Sequence, residues 1–282
     1  MLTQPSTLGL FDNNILKVMQ IVKDGGGVVY GDGANLNALL GRAKPGDLGF
    51  DIVHSNLHKT FTQPHGGGGP GAGAVMVAEH LVPFLPAPLV DRTIDSNGDE
   101  KYSFVTPDMT IGKMGAFHGN FGALVRAYAY IRTLGDEGLA AISEDAVINA
   151  NYILAGLRGV YDLPYDRNCM HEVVFSAANL KNDFGVTALD VSKRLIDYGI
   201  HPPTMYFPLL VEEALMIEPT ETESKETLDN FIDVMKRIAK EAEVNPELLR
   251  NAPHNTPNSR LDEAMAARNP QLRWYDATKV AE

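Results

Sequence analysis

Short apolar runs alternate with stretches of helical periodicity along the first eighty residues, and this alternation constrains the fold more than any other feature. Asn14–Val22 reads as an amphipathic helix that Ser6 or Thr7 is placed to cap, and Gly25, Gly26 and Gly27 end it. Val28–Tyr30 is an apolar run of buried-strand type, GDGANLNALLG a loop into a short helix, Phe50–His54 a second strand and Ala74–Ala78 a third. Strands alternating with helices indicate a parallel α/β sheet, and ligands of such sheets bind beyond the carboxyl ends of the strands. Asp32 and Lys59 both follow such ends, so the pattern predicts that they lie near one another.

Farther on, Phe121–Arg132 and Glu144–Leu157 have helical periodicity and little Gly or Pro. Gly159–Arg167 mixes glycine, proline and polar residues and suggests a boundary near residue 160. This gives a larger domain over residues 1–160 and a smaller α/β domain over residues 161–282. The second contains a strand at Glu172–Ala177, a helix at Thr187–Tyr198 closed by Gly199, a strand at Leu209–Ile217 and a helix at Ser224–Ala242. The tail from Ala252 reads as irregular. Met1–Thr7 reads as the end of a strand and a turn, as if the chain opened inside a β-α unit.

The richest local pattern is HSNLHKTFTQPHGGGGPGAG, from His54 to Gly73. A lysine in a partly desolvated pocket becomes a nucleophile able to form a Schiff base. The glycines after it let backbone amides approach an anion closely. Lys59 with this loop suggests a phosphorylated carbonyl cofactor, of which pyridoxal phosphate is the commonest. Such a cofactor is an electron sink only while its ring nitrogen stays protonated, which an acidic residue ensures. Asp32, 27 residues before Lys59, is the candidate, although Asp-Gly is also ordinary turn chemistry. Ala34 is small enough to lie against a ring face, and Asn35 is placed to bond the phenolic oxygen. Asn56 and Thr60 reach either phosphate or local backbone groups.

The histidines divide. His80 and His254 read as structural, whereas His54, His58 and His65 crowd one loop, and His58 beside the lysine is the candidate for proton transfer. Their spacing has no accompanying carboxylate and Lys59 would put a cation among the ligands, so no metal is expected. A formal net charge of −12 argues against a general nucleic-acid or anionic-membrane binder. The single cysteine, Cys169, excludes an internal disulfide. No stretch is long and apolar enough to span a bilayer and the start has no signal-peptide pattern, so a cytoplasmic protein is expected.

The segment YGDGANLNALLGRAKPGDLGFDIVHSNLHKTFTQPHGGGGPG closely resembles the cofactor-lysine region of glycine dehydrogenase (decarboxylating), the pyridoxal-phosphate protein of the glycine cleavage system. The likeness is to subunit 2 of the two-subunit bacterial form. It continues through EHLVPFLP, through GVTALDVSKRLIDYGIHPPTMYFPLLVEEALMIEPTETESKETLDNFIDVM and into RLDEAMAARNPQLRW. The resemblance implies the aspartate-aminotransferase architecture, fold type I, with Lys59 as the cofactor lysine and Asp32 as the ring-nitrogen aspartate. It implies decarboxylation of glycine, transfer of the aminomethyl group to the lipoyl arm of a carrier protein, and a companion subunit 1. Hydride transfer to a nicotinamide would occur on another component.

Family members carry a long further stretch before the point that matches Met1. The expectation is therefore a truncated large domain, with the apolar faces at Val28–Tyr30 and Ile52–His54 short of cover, weak cofactor binding and no decarboxylation by the chain alone. Where some relatives have a cysteine after the lysine this chain has Thr62, so a thiol switch there is not supported. The competing readings are another fold-type-I enzyme, such as a cysteine desulfurase or class V aminotransferase, and a non-catalytic or partner-dependent fragment.

Overall fold

A short strand, β1 (Leu2–Thr3), leads into helix α1 (Ile15–Asp24), entered through a turn in which the Asp12 carboxylate accepts the Asn14 N–H at 2.8 Å. Ile15 and Met19, one helical turn apart, are buried, and Gly26 at φ +75° supplies the left-handed residue that ends the helix. Strands β2 (Tyr30–Gly33) and β3 (Ile52–Asn56) follow, joined through a 3₁₀ turn at Leu36–Ala38. Next come a single helical turn, α2 (Leu57–Thr60), and strand β4 (Gly73–Val77). In this computed structural model residues 1–65, 69 and 71–274 are described, and Gly66–Gly68 and Pro70 of the expected anion loop lie outside the described residues.

The sheet order is β1-β2-β3-β4, parallel across β1, β2 and β3 but antiparallel between β3 and β4. The all-parallel expectation therefore fails at β4. A parallel return needs a crossover of a dozen or more residues, usually a helix, and the β3–β4 connection offers one helical turn. β2 and β3 also begin two residues later than expected. The Asp51 side chain explains part of this, because its carboxylate takes the Val29 N–H at 2.8 Å before the strand ladder begins.

Val29, Phe50 and Val53 are buried together with Ile15 and Met19, and Leu2, Phe11, Val22 and Leu48 pack around them. The apolar faces expected to lack cover are thus closed by α1, and it is Val28 that stays outside, 53% exposed. Burying a side chain of this size contributes roughly 1.5–3 kcal/mol. β2 and β3 approach closely: a Cβ on Gly33 would lie 1.9 Å from the His54 carbonyl oxygen.

A hairpin absent from the sequence reading follows, β5 (Leu89–Ile94) with β6 (Glu100–Val105). Its turn carries Asn97-Gly98, and the Asp95 carboxylate accepts the N–H groups of Asn97 at 2.9 Å and Asp99 at 3.1 Å. Val90, Ile94, Tyr102 and Phe104 on its strands are exposed. The two expected helices after it are one element, α3 (Phe121–Leu157), broken by Gly135 at φ +64°.

The chain divides into two units. The first holds Met1–Gly156, Tyr165–Val174 and Met216–Leu228, and the second Leu157–Pro164, Phe175–Leu215 and the chain from Asp229. Strand β7 (Val173–Ser176) is followed by helices α4 (Ala178–Phe184) and α5 (Ala188–Asp197), strands β8 (Thr204–Met205) and β9 (Ala214–Ile217), and helices α6 (Lys225–Val244), α7 (Pro246–Arg250) and α8 (Glu263–Arg268). The sheet order is β7-β9-β8. A capping box starts α5, with Thr187 Oγ1 accepting the Asp190 N–H at 3.3 Å and the Asp190 carboxylate accepting the Thr187 N–H at 2.8 Å. In the second unit Tyr161, Phe175, Leu195, Leu215, Met235 and Ile238 are fully buried, and the Tyr161 hydroxyl donates to the Met235 carbonyl at 3.0 Å. The expected strand at Leu209–Ile217 shrinks to β9, because Val211 N–H turns back onto the Pro208 carbonyl and Glu213 sits at φ +48°. The tail is not wholly irregular, since Asp262 caps α8 by accepting the Met265 N–H at 2.8 Å. Among the described residues no helix is long and apolar enough to cross a membrane.

The close approach at Gly33 sets the first test. Gly33→Ala is expected to destabilise the chain by at least about 3 kcal/mol in denaturant unfolding, because the partner atom is backbone and cannot move aside. Gly46→Ala, whose Cβ meets nothing within 4 Å, is expected to stay within about 1 kcal/mol. Equal stability of the two variants would contradict the tight β2–β3 contact.

Candidate functional site

Lys59 owes its position to the apolar residues on either side of it. Leu57 and Phe61 lie four apart on the α2 turn, and both are buried in a cluster with Ala127. The Leu57 N–H donates to the Ala72 carbonyl at 3.0 Å and the Phe61 N–H to the Leu57 carbonyl at 3.1 Å. With positions 57 and 61 inward, residue 59 faces outward, and Lys59 is exposed rather than partly desolvated as expected. The turn ends on Thr62 at φ +56°, a left-handed conformation that costs a non-glycine residue roughly 1–2 kcal/mol. The Thr62 carbonyl is held by Arg126 Nε at 2.7 Å.

Lys59 opens onto a pocket of about 200 Å³ lined by Asn37, Thr60, Tyr130, Glu218 and Glu221 among others. Asn37 Nδ2 donates to Glu218 Oε1 at 3.3 Å, and the Tyr130 hydroxyl donates to Glu221 at 3.3 Å. Burial, then the Glu221 charge, pushes the Tyr130 phenol up to about 12, so it remains a donor. Thr60 is 4% exposed and its Oγ1 has no hydrogen-bond partner among the described residues, as is true of Ser55 Oγ on β3.

Sequence reasoning missed the acidic group that faces this lysine. His171 Nε2 lies 3.8 Å from Glu172 Oε2 and 3.9 Å from Glu218 Oε1. The three ligand-type atoms lie within 4.8 Å of one another, a set placed to take a cation, and the Lys59 ammonium acts on both carboxyls. His171 and Glu172 are 1% and 3% exposed, and among the described residues neither His171 Nδ1 nor Glu172 Oε1 has a hydrogen-bond partner. Burial, then the Glu218 charge, pushes Glu172 up to about 8 against smaller lowerings by a Gly9 backbone hydrogen bond and then by Lys59. Glu218 is also raised, by burial first, although its side chain is 45% exposed. Burial holds His171 down at about 4, so its ring is neutral. The sequence signal was two adjacent titratable residues entering the apolar run Val173–Phe175.

The other residues singled out in the sequence lie at the strand ends. Asp32 is the third residue of β2, directly opposite His54 of β3, and Asp32 Oδ1 lies 3.1 Å from His54 Nε2 and accepts the Ala34 N–H at 2.9 Å. Asp32 and Lys59 thus occupy the carboxyl ends of adjacent parallel strands, although Asp32 does not line the Lys59 pocket. Asn35 Nδ2 donates to the Pro5 carbonyl at 3.0 Å, and Asn56 Oδ1 meets His54 Nε2 at 3.0 Å. The His58 ring points away from the pocket, to Ala72, and stacks edge-on with His65 at 5.2 Å.

Comparison with known proteins places this geometry in a class. The chain matches a solved glycine decarboxylase (P-protein) of the glycine cleavage system with TM-score 0.72 and 20% identity, over 84% of this chain and 54% of that one. It matches the apo cysteine desulfurase of Thermococcus onnurineus with TM-score 0.60 and 18% identity, over 83% and 57%. The fold is therefore fold type I, the architecture of pyridoxal-phosphate enzymes.

Residues 142–256 match the family model described as glycine dehydrogenase, C-terminal domain. The chain is 59% identical over 280 residues to the Bacillus cytotoxicus protein named "Probable glycine dehydrogenase (decarboxylating) subunit 2", and 58% identical to the Bacillus cereus protein of that name. Each alignment covers 99% of this chain and 56% of the relative, so the chain spans about half the length of the curated relatives it matches. Over almost its whole length it is similar to a part of the proteins named glycine dehydrogenase (decarboxylating) subunit 2.

The raised Glu172 carboxyl carries a measurable linkage. The folded chain keeps a proton there that the unfolded chain releases above about 4.5, so this site's contribution to stability is full below that pH and is lost as pH rises towards about 8. Glu172→Gln is expected to flatten the fall in stability between pH 6.5 and 8 and to melt higher than the parent at pH 8. The gain should be about 2–4 °C for each kcal/mol recovered. Glu218→Gln is expected to shift the Glu172 step to lower pH by removing the neighbouring charge. Parallel stability–pH curves for all three proteins would overturn the assignment.

Proposed function

We propose that this chain supplies the cofactor lysine of a pyridoxal-phosphate enzyme that decarboxylates glycine and passes the aminomethyl group to the lipoyl arm of the glycine cleavage carrier protein. In this reading a companion subunit 1 completes the enzyme, which works in the cytoplasm. The observation that carries it is Lys59, held outward on the first turn after β3 and open to a pocket, with Asp32 at the end of the adjacent parallel strand. The residues fit a phosphorylated pyridine aldehyde. The lysine is accessible, a carboxylate stands one strand away, and two buried hydroxyls, Ser55 and Thr60, lack partners that a ligand would provide. When bound, the cofactor supplies an electron sink for the pair of electrons left as carbon dioxide departs.

In this reading Lys59 would hold the cofactor through its amine. Asp32 would hold the proton on the ring nitrogen. Thr60 and Asn56, at the end of β3, would meet the phosphate, and Ala34 and Asn35 would border the ring. His58 and the Glu172–Glu218 pair are the groups next to Lys59 that hold or move protons.

Borohydride reduction of the cofactor-loaded chain followed by peptide mapping is expected to label Lys59, and label at Lys44 or Lys101 would overturn the reading. Asp32→Asn is expected to keep most cofactor binding but to slow exchange of labelled carbon dioxide into glycine, measured with companion subunit and lipoylated carrier present. The slowing should be about 10²–10³-fold, the scale of a lost preorganised electrostatic contact. Near-normal exchange by this variant would contradict the role of Asp32.

A further inference from the structure

We infer that Tyr30 and His54 are positioning residues that lock one oxygen of Asp32 so that the other faces the ligand, an inference that rests on the reading of Asp32 given above. Tyr30 and Asp32 are two apart on β2 and share a face of the sheet, and the β2–β3 register sets His54 directly opposite Asp32. The Tyr30 hydroxyl meets His54 Nδ1 at 2.7 Å, and His54 Nε2 meets Asp32 Oδ1 at 3.1 Å. Nε2 faces the carboxylate and also Asn56 Oδ1 at 3.0 Å, so Nε2 carries the hydrogen. In the neutral ring Nδ1 is then the acceptor, and the tyrosine hydroxyl must donate to it. Donation runs from Tyr30 to His54 and from His54 to Asn56, and Asp32 Oδ1 lies 3.1 Å from the same Nε2.

The Ala34 N–H donates to the same oxygen at 2.9 Å. Among the described residues, the hydrogen bond and the close histidine contact of the Asp32 carboxylate both fall on Oδ1. Asp32 and His54 are 27% and 21% exposed at their side chains, so the pair sits at the surface of the strand ends rather than in the core. A carboxylate needed only to satisfy a turn would be served by the Ala34 N–H alone. The aromatic pair behind it fixes the plane in which Oδ2 points, which is the requirement for holding a proton on a planar ring nitrogen.

The test is titration of the 282-residue chain with pyridoxal phosphate labelled with ¹⁵N at the ring. The nitrogen shift reports whether the ring is protonated, and absorbance gives Kd. Asp32→Asn is expected to move the shift to the unprotonated range. His54→Leu is expected to move it partway and to weaken binding about tenfold, as for loss of a hydrogen bond to a charged group. Tyr30→Phe should have a smaller effect in the same direction, and His54→Gln, which keeps a donor near the Nε2 position, should restore most of the parent shift. Melting curves at each variant separate unfolding from loss of positioning. A shift with Asp32→Asn but none with His54→Leu or Tyr30→Phe overturns the positioning role alone. No shift with Asp32→Asn, or no uptake by the parent chain, overturns the reading of Asp32 and this inference with it.

Discussion

The parallel register of β2 and β3 is the constraint on which the candidate site depends. It brings Gly33 against the His54 carbonyl, with no room for a Cβ, and fixes Asp32 opposite His54. Because successive strand residues alternate faces, a slip of one residue would turn Tyr30, Asp32 and His54 away from their shared side and break the hydrogen-bond run. The hydrophobic cluster under α1 sets that register from below, since Val29 and Val53 must both point into it. Core packing on one face of the sheet thereby specifies polar geometry at the strand ends, at a cost in conformational freedom that the buried aliphatic surface offsets.

The lysine follows from the same strand. β3 runs directly into α2, and a single helical turn whose ends are both buried has one direction left for the residue between them. A longer helix would have moved Lys59 along an axis, whereas one turn keeps it at the mouth of the pocket. The left-handed Thr62 is where the chain stops being helical, and the Arg126 contact to its carbonyl anchors that stop. Local strain beside a candidate site is a recurring arrangement, stable because its surroundings over-determine it.

Much of this was legible in the sequence. The amphipathic period of α1, the glycines after it and the apolar pairs before Asp32 and Lys59 identified the first β-α units and put both residues at strand ends. Strand limits were less legible. The Asp51 side chain substitutes for a ladder partner at Val29, and periodicity carries no information about a side chain doing backbone work. The antiparallel β4 was hidden because an apolar run reads alike in either direction. The β5–β6 hairpin carried an Asn-Gly turn signal that the sequence reading passed over. His171 and Glu172 escaped notice because their chemistry arises from burial beside Glu218, a residue 46 positions on, and only the folded chain brings the two carboxyls together.

The two carboxyl groups nearest the site's chemistry differ in what their neighbours offer. Asp32 Oδ1 accepts the Ala34 N–H and lies 3.1 Å from His54 Nε2. Glu172 is among the most buried polar residues of the chain, has an oxygen with no donor, and faces a second carboxyl. Two carboxylates this close in a poorly solvated corner do not both ionise near neutral pH, so between them they retain a proton. That proton lies within electrostatic reach of Lys59. A chain of net charge −12 thus sets two carboxyl groups of its candidate site apart, one taking a backbone N–H at a strand end and one raised first by burial and then by the neighbouring Glu218 charge.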